Sequence, residues 1–160
     1  MCGVNQNMSN VFKVGSRWDT NGNPARKIFD VFKNINIVFI GENQDGSTHY
    51  IDMYKTLVQK DDCFAIADGL TIVAVAKVVS TGDYIQNYQN IDEDDFPPPS
   101  VFDFPYETSR KNAFGWKVEI RYPNDSIIKQ KGINVRQERI YRMNKYAKDI
   151  IDIFNNHSHE

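Results

Sequence analysis

Gly41-x-x-x-x-Gly46-Ser47-Thr48 has the glycine spacing of a loop that wraps phosphate oxygens in backbone N–H groups. The lysine such a loop needs is missing. Glu42 and Asp45 put negative charge where the oxygens must sit, so the stretch reads as an ordinary polar loop. Met1-Cys2-Gly3 would expose a nucleophilic thiol once the methionine is removed, but no later catalytic motif accompanies it, and a cysteine in a polar leader reads as incidental. Cys63 opens an apolar run and belongs to the core. His49, His157 and His159 give no pair at metal-ligand spacing on an ordered element, and a hydrolytic triad would have to use His49, with no nucleophile elbow nearby. No metal or cofactor is expected. Without a general base paired to a nucleophile, a small nucleotide-processing enzyme is the least supported function class.

What remains is aromatic and basic. The chain holds 10 Phe, 8 Tyr and 2 Trp. Trp18 follows a strand pattern and precedes a polar turn, which suits a half-exposed stacking surface or a lid on the core. The net charge of −2 hides an asymmetry: residues 1–107 carry 8 Lys/Arg against 15 Asp/Glu, and residues 108–148 carry 11 against 3. The basic excess includes Arg110, Lys111, Arg136, Arg139 and Arg142, which would line the route of a nucleic-acid backbone, since neutralised phosphates release counterions. The alternative is that this segment docks on the acidic half of the molecule or forms a solvated face.

The elements that must position these side chains alternate along the chain. Val11–Gly15 reads as a strand, residues 25–33 as a short amphipathic helix after Pro24, residues 35–40 as a buried strand, and residues 51–58 as a weaker helix. Cys63–Ala67 and Leu70–Val79 form a hairpin joined at Asp68-Gly69 by a type I′ turn. Residues 82–108 are a long acidic, proline-rich loop, with Asp92, Glu93, Asp94 and Asp95 before Phe96-Pro97-Pro98-Pro99. Within it, Tyr84 and Tyr88 suit a packed helical turn or the rim of a groove. Phe114–Tyr122 alternates cleanly, with Phe114, Trp116, Val118 and Ile120 on one face, so Trp116 reads as core or as one wall of a pocket. Residues 136–155 read as one C-terminal helix or two consecutive ones.

A chain of 160 residues, 41% apolar and 25% charged, supports one domain after a polar leader over residues 1–10. No run approaches the roughly 18 apolar residues of a membrane span, and the N-terminus lacks the pattern of a signal peptide. Two cysteines are too few for a disulfide framework, and a cytoplasmic protein is the default. The expected fold is α+β, a curled, mostly antiparallel sheet with flanking helices.

The order of elements over residues 11–122 resembles the PUA-like superfamily, in particular its EVE and YTH-type branch. Val14-Gly15-Ser16-Arg17-Trp18 carries the resemblance at the first strand, and Val58 to Val79 carries it at the hairpin. Asp61-Asp62 stands where Gly-Asp is usual, Ala76 where a glycine is usual, and the Gly-x-Lys signature of the ASCH branch is absent. The resemblance implies an open barrel whose mouth is an aromatic pocket for a flipped or modified base, lined here by Ser16, Arg17, Trp18 and Asn21, with Trp116 as a second wall. Arg17 pairs equally well with Asp19. The implied partner is single-stranded or base-flipped nucleic acid, or a nucleotide-like ligand. A protein partner at residues 92–105, with the barrel as scaffold, is the alternative. Acidic residues and prolines cannot serve a buried sheet ladder, so deleting residues 92–99 is expected to leave thermal stability nearly unchanged; a loss above about 3 kcal/mol would make the loop structural.

Overall fold

The computed structural model describes residues 9–20, 23–27, 29–41, 49–88, 113–123, 125–136 and 138–156. Along these the chain forms β1 (Val11–Gly15), β2 (Arg17–Thr20), β3 (Asn23–Lys27), α1 (Phe29–Ile35), β4 (Ile37–Ile40), α2 (His49–Tyr54), β5 (Cys63–Asp68) and β6 (Thr71–Val78). It continues through β7 (Asp83–Tyr84), a 3₁₀ turn (Ile85–Asn87), β8 (Phe114–Arg121), α3 (Asp125–Lys131), β9 (Ile140–Met143) and α4 (Ala147–Asn156).

The strands lie in the order β4-β8-β6-β5-β1-β9, with β7 added to β8 and β2-β3 as a separate ribbon. Only β1 with β5 is parallel among the described pairs; the others are antiparallel, and the sheet curls through 201° into a half-barrel. The fold is α+β with flanking helices. Strand alternation sends Phe12, Val14, Phe64, Ile66 and Trp116 into one core, which Phe32 of α1 and Ile51 of α2 cover. Val11, Cys63, Ala65 and Ala67 enter a second core, closed by Ile133, Val135 and, from α4, Ile150, Ile153 and Phe154. β1 and β5 are therefore buried on both faces.

The hairpin differs from its expected turn in one respect. Asp68 is still paired, with Thr71, so the central residues are Gly69 and Leu70, and only Gly69 has positive φ, at 66°. That places glycine at the first central position, the type II′ requirement, rather than demanding positive φ twice. A register shift at Ile66/Ala67 leaves Val73 over, which explains why Ile72 and Ala74, two positions apart, enter different cores.

Three sequence expectations need correction. Residues 25–27 continue β3, and α1 starts at Phe29; Pro24, read as a helix start, lies in a two-stranded ribbon where no second neighbour needs its missing N–H. The C-terminal helix does not begin at residue 136, because residues 140–143 form the sheet-edge strand β9. Ile140 pairs with Val14 and enters the first core, whereas Met143 pairs with Val11 and enters the second, so two faces of a strand imitate helical spacing. The loop expected from residue 82 begins inside the fold: Asp83 and Tyr84 pair with Gly115 and Phe114, Ile85 is fully buried, and Tyr88 Oη donates to the Gly115 carbonyl at 2.9 Å. Asp92 to Pro105 lies outside the described residues.

Asp62 fastens the start of the parallel pair. Its carboxylate accepts the Asn10 N–H at 2.9 Å and the Gln59 N–H at 2.8 Å, just before β1 and β5 begin. Burial raises its pKa, against the two N–H groups and Arg142, which lower it. Asp62→Ala leaves both N–H groups without their acceptor, and a loss of about 1–3 kcal/mol in urea unfolding is expected.

Candidate functional site

Ser16 and Trp116 do not form an open mouth. Ser16 is fully buried, and both its N–H and its hydroxyl donate to the Ala67 carbonyl, at 2.7 and 2.9 Å. It closes the end of β1 onto the end of β5. Trp116 is also fully buried and packs on Phe64, near the start of β5, with ring centroids 5.5 Å apart. The expected second wall is therefore part of the core, because its face of β8 turns into the half-barrel. Arg17 and Trp18 lie in β2 opposite Lys27 and Arg26. Asn21, Arg110 and Lys111 lie outside the described residues.

Several of the other basic residues lie along one border of the sheet. Residues 136–148 hold Arg136, Arg139, Arg142, Lys145 and Lys148 against one acid, Glu138. β9 is the last strand of the sheet, and the turn into α4 continues it. Arg136 lies over the Tyr141 ring, 4.1 Å from its centroid, and pairs with Glu138 at 2.6 Å, while its N–H donates to Tyr141 Oη at 2.9 Å. Lys145 lies 5.1 Å from the centroid of the Tyr146 ring. Arg142 is exposed and donates to Asn10 Oδ1 at 2.6 Å, and Arg139 reaches the Gly41 carbonyl at 3.2 Å. Along this border Arg136 and Lys145 lie on the rings of half-buried Tyr141 and Tyr146, which pack against the second core, whereas Arg142, opposite Phe12, is on the other face of β9 from Tyr141, opposite Lys13.

Not every cation of the basic segment serves that edge. Arg121 bonds to Glu119 at 2.9 Å, lies 4.1 Å over the Phe154 ring and donates to the Phe154 carbonyl, which ties α4 to β8. Lys131 meets Asp149 at 3.8 Å. These two hold the C-terminal part of the fold together.

Behind the edge lies a residue that the sequence reading passed over. Lys13 is 2% exposed, set in β1 between Ala65 and Tyr141, and its ammonium donates to the Glu138 carbonyl. Burial pushes its pKa down to about 8, with Glu138 opposing and Arg136 assisting. The signal was a single charge inside the apolar run Val11-Phe12-Lys13-Val14. Tyr141 and Tyr146 were missed as ring surfaces because residues 136–155 read as helix.

Among the described residues no group of three or more His, Cys, Asp or Glu is placed to hold a metal ion, and no helix is long and apolar enough to cross a membrane. No family model and no curated protein matches the chain.

The pH dependence of stability tests Lys13. Its folded pKa lies below the ordinary 10.5, so the unfolded chain binds more protons between about 8 and 10.5, and this contribution makes stability rise with pH across that window. Cys63, pushed up to about 11 by burial, acts in the opposite sense between 9 and 11, so the readout is the difference between wild type and Lys13→Met. The methionine variant is expected to be more stable at pH 7 by about 1–2 kcal/mol, allowing for screening, with its advantage vanishing by pH 10.5. An equal gap at both pH values would contradict the assignment.

Proposed function

We propose that the chain is a small PUA-like binding module of the EVE or YTH type that reads a base, modified or not, in nucleic acid, or takes a nucleotide-like ligand. The reading is supported by the β9 border, where Arg136 lies over the Tyr141 ring, Lys145 lies by the Tyr146 ring and Arg142 is exposed. The cations would run along the phosphate backbone, and a base reaching a tyrosine would displace the cation from its ring and stack there at about 1–3 kcal/mol. Recognition at this edge requires unpaired bases, because a paired duplex hides their faces, so single strands or flipped bases are the preferred form. Cys63, a buried free thiol, suits a reducing cytoplasm.

The contributions of charge and ring separate experimentally. Affinity for a single-stranded oligonucleotide, measured by fluorescence anisotropy across a salt series, is expected to fall linearly with log salt concentration. Arg142→Ala is expected to reduce that slope by about one and weaken binding uniformly across sequences. Tyr146→Ala is expected to cost about 1–3 kcal/mol with the slope nearly unchanged. An oligonucleotide that fails to bind at low salt would remove this reading.

A further inference from the structure

Lys13 is the one charged side chain of β1, and it is buried on the side of the strand that faces the second core, where an apolar residue would cost the fold less. Its charge requires an explanation. The side chain runs along Gly15, where a Cβ would lie 3.5 Å from Lys13 Nζ and 3.6 Å from the Arg139 carbonyl oxygen, and its ammonium donates to the Glu138 carbonyl. It therefore ends on the chain that enters β9.

That hold is passed outward to the border. The Gly15 N–H donates to the Arg139 carbonyl at 2.8 Å, so β1 grips two successive peptide groups ahead of β9, one through its main chain and one through Lys13. The Glu138 carboxylate meets Arg136 at 2.6 Å, and Arg136 lies over the Tyr141 ring and donates its N–H to Tyr141 Oη. Where the Glu138 main chain sits thus decides where the Arg136 guanidinium sits. A charged donor makes a hydrogen bond roughly twice as strong as a neutral one, so the grip depends on the Lys13 proton. Burial brings the pKa of that proton to about 8, with Glu138 opposing and Arg136 assisting. Among the described residues, β5 presents Ala65 to this side chain and β9 presents Tyr141; the second core beyond holds Ile133, Val135 and, from α4, Ile150, Ile153 and Phe154, while Asp149 of α4 meets Lys131. Tyr54 of α2 shares the field of Glu138 and Arg136, and its phenol is raised, chiefly by burial.

We infer that Lys13 is a positioning residue for the β9 border: its charged ammonium holds the Glu138 peptide, and through it Arg136 beside Tyr141, so that binding weakens when the proton leaves. The inference rests on the nucleic-acid function proposed above. Lys13 itself touches no ligand, since it lies behind the border in the sheet. An ordinary lysine keeps its proton over the range in which this one loses it, which gives the border a pH dependence that phosphates and exposed cations do not supply.

The first test needs no ligand and no variant that must fold. In the full wild-type chain labelled with ¹³C and ¹⁵N and read by carbonyl-detected spectra, the Glu138 carbonyl carbon and the Arg136 nitrogen are expected to shift with the midpoint of Lys13 Nζ, near 8. Both shifts are expected to vanish in Lys13→Met. A Lys13 Nζ that titrates while these two atoms stay still overturns the positioning role, and so does an ordinary lysine midpoint. The second test is binding, at fixed salt, of a single strand of adenine and cytosine, whose bases do not ionise in this range. Wild-type affinity is expected to fall about fivefold from pH 7 to 9, and Lys13→Met is expected to bind about fivefold more weakly at pH 7, with no midpoint near 8, although it is expected to be the more stable protein. The α-amino group and Cys2 titrate in both chains and cancel in the comparison. Equal affinity of the two chains at pH 7 overturns the role. If the wild type binds no strand, the nucleic-acid reading falls, and the carbon and nitrogen shifts alone uphold or overturn the hold of Lys13 on the border.

Discussion

The parallel pairing of β1 with β5 is the constraint on which the rest of the structure depends. Val11 to Gly15 face Cys63 to Ala67 in register, so a crossover must carry the chain from one end of the pair back to the other. Here the crossover is irregular, made of β2, β3, α1, β4 and α2, and its apolar residues cover one face of the pair. The opposite face is equally apolar and needs a second cover, which residues 133–156 supply. Both ends are tied by polar groups: Ser16 on the Ala67 carbonyl at one, Asp62 on the Asn10 N–H at the other. A sheet covered on both sides at its centre has little surface left for function except its edges and the rims of its covers.

How much of this was legible in the sequence follows from where each segment lies. β5 and β6 were readable because Asp68-Gly69 punctuates two apolar runs and local pairing needs no other information. β8 was readable because one of its faces is half-solvated, which preserves alternation. β9 was not. A four-residue strand that sends Ile140 to one core and Met143 to another shows a spacing of three, and the helix that follows extends the illusion. The β2–β3 ribbon was hidden for a different reason: its turn residues and Pro24 match a loop and a helix start, and only tertiary context makes them an antiparallel pair. The parallel pairing of β1 with β5 cannot be read from either segment alone, since it depends on what the intervening 47 residues do.

The candidate site was legible in part, and partly for the wrong reason. Arg136, Arg139 and Arg142 recur every third residue, which reads as a charged helix face, yet they lie on an edge strand and its approach along one border of the sheet. Alternation placed Trp116 on an inward face but could not say that its N–H would lack an acceptor. That depends on which main chain crosses the indole edge, and Gly82 is more than 30 residues away in sequence. Lys13 illustrates the converse, since its charge is plain in the sequence while its burial follows from the cover over the second core.

The basic residues divide between those that hold the fold and those on its β9 border. If the positive C-terminal half existed only to neutralise the acidic half, its guanidinium groups would be spent on carboxylates. Arg121 is spent on a carboxylate of its own segment, with Glu119, the Phe154 ring and the Phe154 carbonyl all engaged. Arg142 meets an asparagine oxygen, a contact that orients a cation without cancelling its charge. Arg136 does meet Glu138, but this exposed pair is screened by solvent and leaves the guanidinium plane stacked on Tyr141. Beneath them Lys13 is kept in β1 where an apolar residue would cost the fold less, adding positive potential from behind the edge. Arg136 over the Tyr141 ring and Lys145 by the Tyr146 ring, with the buried lysine behind them, are the cations on which the proposed binding of an extended polyanion rests.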